Sequence, residues 1–145
     1  MLIDIHTHAY RIKPPLYGFC NLAELLKANE RLGIDMAVVQ PIVSPEIYIA
    51  QPSEDILEMA KQYPDKIIPF CNVDPRSYTN SPFSPLEDFL EVYKEMGAKG
   101  VGEVMPNMRM DDPKVQNLFR ACEKVGLSVT TDGTGYDDHN FGLYD

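Results

Sequence analysis

The chain has 145 residues, of which 44% are hydrophobic, and a formal net charge of −9. This composition is that of a globular protein, and the length suits one sizeable core, so we expect residues 1–145 to form a single domain. No basic patch is visible and no apolar run approaches the ~18 residues of a membrane span, which argues against nucleic-acid and membrane partners.

Short apolar runs recur along the chain, and each is typical of a parallel strand that is covered on both faces. These predicted strands are Leu2–Ile5, Met36–Gln40, Ile67–Cys71, Gly100–Glu103 and Leu127–Thr130. A helix is predicted after each of the first four, from N-terminal capping signals and from glycines just past the helix end. The capping signals are Asn21 with Glu24, Ser53, Ser84 with Glu87, and Asp112 with Pro113; the terminating glycines are Gly33, Gly97 and Gly126.

Strand starts recur at roughly 30-residue intervals, which is the size of one βα unit. This alternation predicts an α/β fold with a parallel sheet and right-handed crossovers. The sheet could be open and doubly wound, or it could be part of a closed barrel. A complete (β/α)8 barrel takes about 250 residues, so this chain would supply about four and a half units of one.

The cysteines and the N-terminus bear on the cellular compartment. Cys20, Cys71 and Cys122 are odd in number and widely separated, so they form neither a disulfide framework nor a Cys-x-x-Cys metal site. The N-terminus lacks the basic region and apolar core of a signal peptide. Both features favour a cytoplasmic protein.

Two histidines, His6 and His8, end the first predicted strand. Residues i and i+2 of a strand point to the same side, so both imidazoles can face one ion. Neutral imidazole is a common ligand of zinc. The alternative is a pair of exposed histidines where the strand becomes a loop.

Further polar residues follow the other strands, at the edge where parallel α/β folds carry their sites. Glu103 ends an apolar run, where a carboxylate is costly to bury unless it is paired or bound to metal. Asp132 is a weaker candidate ligand, because Asp-Gly is also an ordinary turn. Asn72 and Arg76 are candidate substrate contacts, although such an arginine often forms a surface ion pair. His139 lies among polar residues and is predicted to be a solvated loop histidine.

The segment Ile3-Asp4-Ile5-His6-Thr7-His8 resembles the first strand of the amidohydrolase superfamily. Three further segments are similar to its amidohydrolase-related branch, which includes metal-dependent hydrolases and aminocarboxymuconate-semialdehyde-type decarboxylases. They are residues 32–39 (LGIDMAVV), 69–76 (PFCNVDPR) and 97–103 (GAKGVGE).

The resemblance implies the N-terminal part of a metal-binding TIM barrel that acts on a small molecule. It implies that His6 and His8 bind a divalent ion, most simply zinc, and that Glu103 is a metal-binding carboxylate after strand four. The family places a histidine after strand five, where this chain has Asp132. The family's remaining ligands, a histidine after strand six and an aspartate after strand eight, are expected beyond Asp145.

Three functions remain open on the sequence. The first is hydrolysis of a small C–O or C–N bonded substrate by a metal-activated water. The second is metal-dependent decarboxylation, and Glu103 favours hydrolysis over it. The third is a non-catalytic, truncated product. An incomplete barrel also predicts self-association, through the open edges of strands one and five.

Overall fold

The structure is a computed structural model that describes residues 1–15, 18–47, 49–133 and 142–144. In chain order its strands are β1 (Ile3–Thr7), β2 (Met36–Val39), β3 (Ile67–Cys71), β4 (Gly100–Val104), β5 (Met108–Arg109), β6 (Ser128–Thr131) and β7 (Leu143–Tyr144). Its helices are α1 (Leu22–Leu32), α2 (Ser53–Gln62), α3 (Leu86–Glu95) and α4 (Pro113–Val125).

A curved parallel sheet forms the centre of the fold. Five strands lie side by side in the order β1-β2-β3-β4-β6, and every neighbouring pair is parallel. The sheet bends through 229°, as half of a barrel. The predicted partial TIM barrel, with its strands in chain order, is therefore confirmed, and the open doubly wound alternative is wrong.

The strand ends differ slightly from the prediction. Strand β1 continues through Thr7, because Thr7 pairs with Val39 of the neighbouring strand. Strand β6 begins one residue later than predicted, since the N–H of Leu127 still donates to the carbonyl of Cys122 in the last turn of α4. A separate two-stranded sheet, β5 with β7, was not predicted.

The helices begin and end partly as their sequence signals predict. The Asn21–Glu24 capping box starts α1, and Gly33 ends it in the left-handed conformation at φ 72°. The side chain of Asp112 caps α4. The predicted caps of the other two helices are wrong: Pro52 and Pro85 stand at those positions, without a side-chain cap bond. The hydroxyl of Ser53 instead bonds the backbone of Asn72, and that of Ser84 bonds Thr79.

The core lies between one face of the sheet and the helices. One cluster joins β3 and β4 to α3 and α4, around Cys71, Val101, Leu90 and Leu118. A second joins β2 and β3 to α1 and α2. Between Val101 and Val104 the pairing of β4 with β6 is irregular. Both valines are buried in the core, so the irregularity lets the intervening Gly102 and Glu103 face the barrel interior together.

Within the part of the chain that the structure describes, β1 and β6 are the two edge strands of the sheet. On β1 the side chain of Ile5 is 71% exposed, and an exposed apolar edge strand is a template for association. Self-association stays a prediction. Among the described residues, no helix has the length and apolarity needed to cross a bilayer.

Candidate metal centre

Three predicted ligands meet at the carboxyl end of the sheet. His6 and His8 come from the end of β1, and Glu103 comes from β4. Nε2 of His6 lies 3.2 Å from Oε2 of Glu103, and Nε2 of His8 lies 3.3 Å from the same oxygen. The two Nε2 atoms are 3.2 Å apart. Among the described residues, these three form the one cluster of histidine, cysteine or carboxylate groups with metal-site spacing.

The triangle of these three atoms fits a tetrahedral ion. Zinc binds nitrogen and carboxylate oxygen at about 2.0–2.2 Å, which places two ligand atoms of a tetrahedral site about 3.3–3.6 Å apart. The observed sides of 3.2, 3.2 and 3.3 Å lie at the short end of this range. Three protein ligands also leave one position of a tetrahedral ion open, as in catalytic zinc sites.

The tautomer of His8 supports the same reading. Its Nδ1 lies 2.9 Å from the carbonyl oxygen of Gln40, which can only accept, so Nδ1 carries a proton and donates. In the neutral imidazole, Nε2 then presents a lone pair. That lone pair faces a carboxylate oxygen of Glu103, which also accepts. A cation between the two would resolve this contact, and a carbonyl behind the ring is the usual way of orienting a metal-binding histidine.

Glu103 is buried, and the surrounding groups keep it ionised. Burial by itself would raise the pKa of Glu103, but the hydrogen bond and charge that His8 and His6 supply when their rings are protonated outweigh it, so the net pKa is lowered. The main chain is held as well, because Nδ2 of Asn72 donates to the carbonyl of Glu103 at 2.6 Å. The carboxylate therefore stands as a positioned anion beside two imidazoles.

Gln40 supports the site through hydrogen bonds to His8, Ile5 and Thr130. This role was not predicted from the sequence. Besides accepting from His8, Gln40 donates from Nε2 to the carbonyl of Ile5 at 3.4 Å, and its Oε1 accepts from Oγ1 of Thr130. An added Cβ at Gly102 would overlap Thr130 and lie 2.6 Å from Oε1 of Gln40. Glycine is therefore required beside Glu103. The sequence did carry a signal for Gln40, because Gln40, like Glu103, is a polar residue at the end of an apolar strand.

Asp132, the fourth predicted ligand, follows β6 and lies outside the cluster of three. Burial and then the negative charge of Glu103 raise the pKa of Asp132, and the charge of His6 partly opposes them. Asp132 is thus close enough to sense the site's charges without joining the triangle. Its role as a ligand stays a prediction.

The two predicted substrate contacts have protein partners in the structure. The side chain of Asn72 is buried and positions Glu103, although its Oδ1 has no partner among the described residues. The guanidinium of Arg76 bonds both Asp74 and Glu46. Glu46 lies on the loop after β2, and no sequence signal pointed to it. His139 falls outside the described residues.

No protein-family model matches the chain, and no curated protein matches it. Several solved structures do match the chain. The chain is similar to a probable 2-pyrone-4,6-dicarboxylic acid hydrolase from Acinetobacter baumannii with citric acid bound, at 16% identity and a TM-score of 0.57 over 92% of this chain and 49% of that one.

Two further structures resemble it. An uncharacterized TIM-barrel protein from Bordetella bronchiseptica is 19% identical, with a TM-score of 0.68 over 94% of this chain and 56% of that one. An Agrobacterium tumefaciens protein in its apo form is 12% identical, with a TM-score of 0.56 over 94% and 48%. The chain thus spans about half the length of each structure that it matches. At these identities the likeness concerns the fold, and that fold is part of a TIM barrel.

Proposed function

We propose that the chain is the N-terminal part of a metal-dependent hydrolase of the amidohydrolase type, with His6, His8 and Glu103 as metal ligands. The observation that carries the proposal is the triangle of 3.2, 3.2 and 3.3 Å formed by two imidazole nitrogens and a buried carboxylate oxygen. The half-barrel fold and the family resemblance of residues 3–8 support it. The similar structure from Acinetobacter baumannii, a probable 2-pyrone-4,6-dicarboxylic acid hydrolase, supports it as well.

A bound divalent ion would supply a coordinated water with a pKa of about 7 and a Lewis acid for a substrate carbonyl. The residues of this chain hold and orient the site for that chemistry. Gln40 fixes the ring of His8 through its carbonyl. Asn72 fixes the main chain of Glu103, and Gly102 leaves room for the Gln40–Thr130 contact beneath it. Asp132, beside the triangle, is the candidate for a further carboxylate ligand.

The ligand set favours hydrolysis over decarboxylation. The β4 carboxylate, Glu103, forms one corner of the triangle, whereas a decarboxylase-type site would lack it. With one carboxylate and two neutral imidazoles, a divalent ion would keep a positive charge with which to polarise a carbonyl oxygen, in either reaction.

The test is metal content and turnover. Zinc per chain is measured by elemental analysis for the wild type, His6→Ala and Glu103→Gln, with Glu58→Gln as the matched control. Glu58 is an exposed glutamate on α2 that pairs with Lys61. We expect stoichiometric zinc in the wild type and control, and loss of it in both site variants. Zinc content that is equal in all four proteins would place the ion elsewhere and refute the assignment.

Turnover is then assayed with zinc on lactones, amides and aromatic carboxylates, with this chain and with a version extended through eight strands. We expect hydrolysis by the longer protein and little by the shorter one, because the family's remaining ligands are expected after strand five. Release of carbon dioxide would assign the decarboxylase instead. Zinc binding without turnover by either protein would favour the non-catalytic alternative.

A further inference from the structure

Arg76 lies at the carboxyl edge of the sheet, on the loop after β3, with its donors directed at two carboxylates. Asp74 accepts hydrogen bonds from Nε at 2.8 Å and from Nη2 at 2.7 Å. Glu46 accepts hydrogen bonds from Nη1 at 2.6 Å and from Nη2 at 2.8 Å. Each carboxylate therefore makes a two-pronged contact, which is the geometry by which arginine recognises carboxylates.

The two carboxylates differ in how firmly they belong to the site. Asp74 is two residues from Arg76, is only 8% exposed, and also accepts the backbone N–H of Arg76 at 2.8 Å. Glu46 is 30 residues away and its side chain is 26% exposed. Asp74 is thus part of the local turn, whereas Glu46 reaches the guanidinium from a separate loop.

The loop that carries Glu46 is anchored at its base and not at the ion pair alone. Ile42 and Gln51 exchange two backbone hydrogen bonds, of 3.1 and 2.8 Å, and this bridge closes the loop between them. Glu46 could leave Arg76 without unpairing this base. Ser44 on the same loop donates its hydroxyl to Oε2 of Glu46. A carboxylate at this place therefore meets a guanidinium fork and a hydroxyl donor together.

We propose that Arg76 and Ser44 form a binding site for the carboxylate of a small-molecule ligand, which the side chain of Glu46 fills in this structure. One guanidinium faces two carboxylates, so the group carries a net negative charge when Glu46 is in place. An incoming carboxylate takes the two-pronged contact of Glu46, and the displaced side chain turns toward solvent. Glu46 thereby sets how tightly the site binds a carboxylate, by competing with it.

The site lies close in the chain to the metal centre. Asp74 is two residues beyond Asn72, whose side chain holds the carbonyl of Glu103. If the proposed function holds, the substrate is a small molecule that carries a carboxylate. Carboxylate binding at Arg76 needs no metal, so the two proposals can fail separately.

The experiment is calorimetric titration of the metal-free chain with succinate. The wild type is compared with Glu46→Gln, with the double variant Glu46→Gln/Arg76→Gln, and with the control Glu58→Gln. Removing the competing charge should tighten binding about tenfold or more, equivalent to about 1.4 kcal/mol. The double variant should lose binding, and the control should behave as the wild type. The net charge of −9 disfavours unspecific anion binding.

Affinity of Glu46→Gln equal to that of the wild type would show a purely structural ion pair and overturn the proposal. So would binding that survives the loss of Arg76, because the succinate would then sit elsewhere. Circular dichroism checks the fold of each variant. Should Glu46→Gln not fold, Glu46→Asp keeps the charge but shortens the reach, and tighter succinate binding by that variant is expected in its place. Unchanged binding by Glu46→Asp would overturn the proposal equally.

Discussion

Replacing Gly102 with alanine tests whether the packing beneath the metal centre is as close as the structure indicates. The new Cβ would overlap Oγ1 of Thr130 and lie 2.6 Å from Oε1 of Gln40. Both neighbours are tied to each other by a hydrogen bond, and Gln40 is fully buried. Room for the new methyl group therefore cannot be made by moving a flexible surface side chain.

The expected cost has two parts. Overpacking a well-packed interior costs about 1–3 kcal/mol, and separating Thr130 from Gln40 leaves a buried oxygen without a donor, at about 1–3 kcal/mol. We expect Gly102→Ala to lower the free energy of unfolding by about 2–6 kcal/mol, a large share of the total for a small domain. The measurement is urea denaturation followed by circular dichroism.

A second substitution identifies the cause. Thr130→Ala removes the hydroxyl that the new methyl group would overlap, so the double variant should be destabilised by clearly less than the sum of the two single variants. Additive losses would show that the strain lies elsewhere. A Gly102→Ala protein within about 0.5 kcal/mol of the wild type, the scale of a neutral surface change, would refute the packing argument.

Three further predictions concern the site, the ion pair and the sheet edge. Asn72→Ala removes the donor to the carbonyl of Glu103 and should weaken zinc binding about 10–100-fold, as measured by chelator competition; unchanged affinity would contradict its supporting role. Arg76 lowers the pKa of Glu46 to about 2, so the stability from this pair is present above the ordinary pKa of 4.5 and is lost as the pH falls toward 2. Urea unfolding of Glu46→Gln should therefore lack this part of the acid dependence, and identical pH profiles would disprove the coupling. Ile5→Lys, on the exposed edge strand, should reduce self-association in light scattering, and a wild-type chain that is already a monodisperse monomer would count against the edge argument.

The parts of the fold that the sequence predicted depend on local patterns. Buried parallel strands are apolar throughout, so the five main strands could be found from composition, and short βα intervals put them in chain order. The pairing of His6 with His8 follows from the two-residue period of a strand. Glu103 could be added because a lone carboxylate in an apolar run needs a partner.

The parts that were missed depend on contacts between distant segments. Ser53 has the side chain of a helix cap, but its hydroxyl bonds the backbone of Asn72, which lies 19 residues away. Arg76 meets Glu46 across 30 residues, and no local pattern marks such a partner. The two-residue strands β5 and β7 are too short to show a period. Their pairing depends on the tertiary path that brings β7 beside β5, and this path cannot be read from a local sequence pattern.

In a flat sheet the ends of β1 and β4 would be three strand spacings apart, about 14 Å. Here Nε2 of His6 and Oε2 of Glu103 are 3.2 Å apart, because the sheet bends and turns both side chains inward. The distance between these two atoms therefore depends on how strongly the sheet is curved. A change that flattens the sheet would part the ligands while every strand pair stays intact. An ion held by both strands should therefore resist flattening, so that the curvature of the sheet and its affinity for zinc rise and fall together.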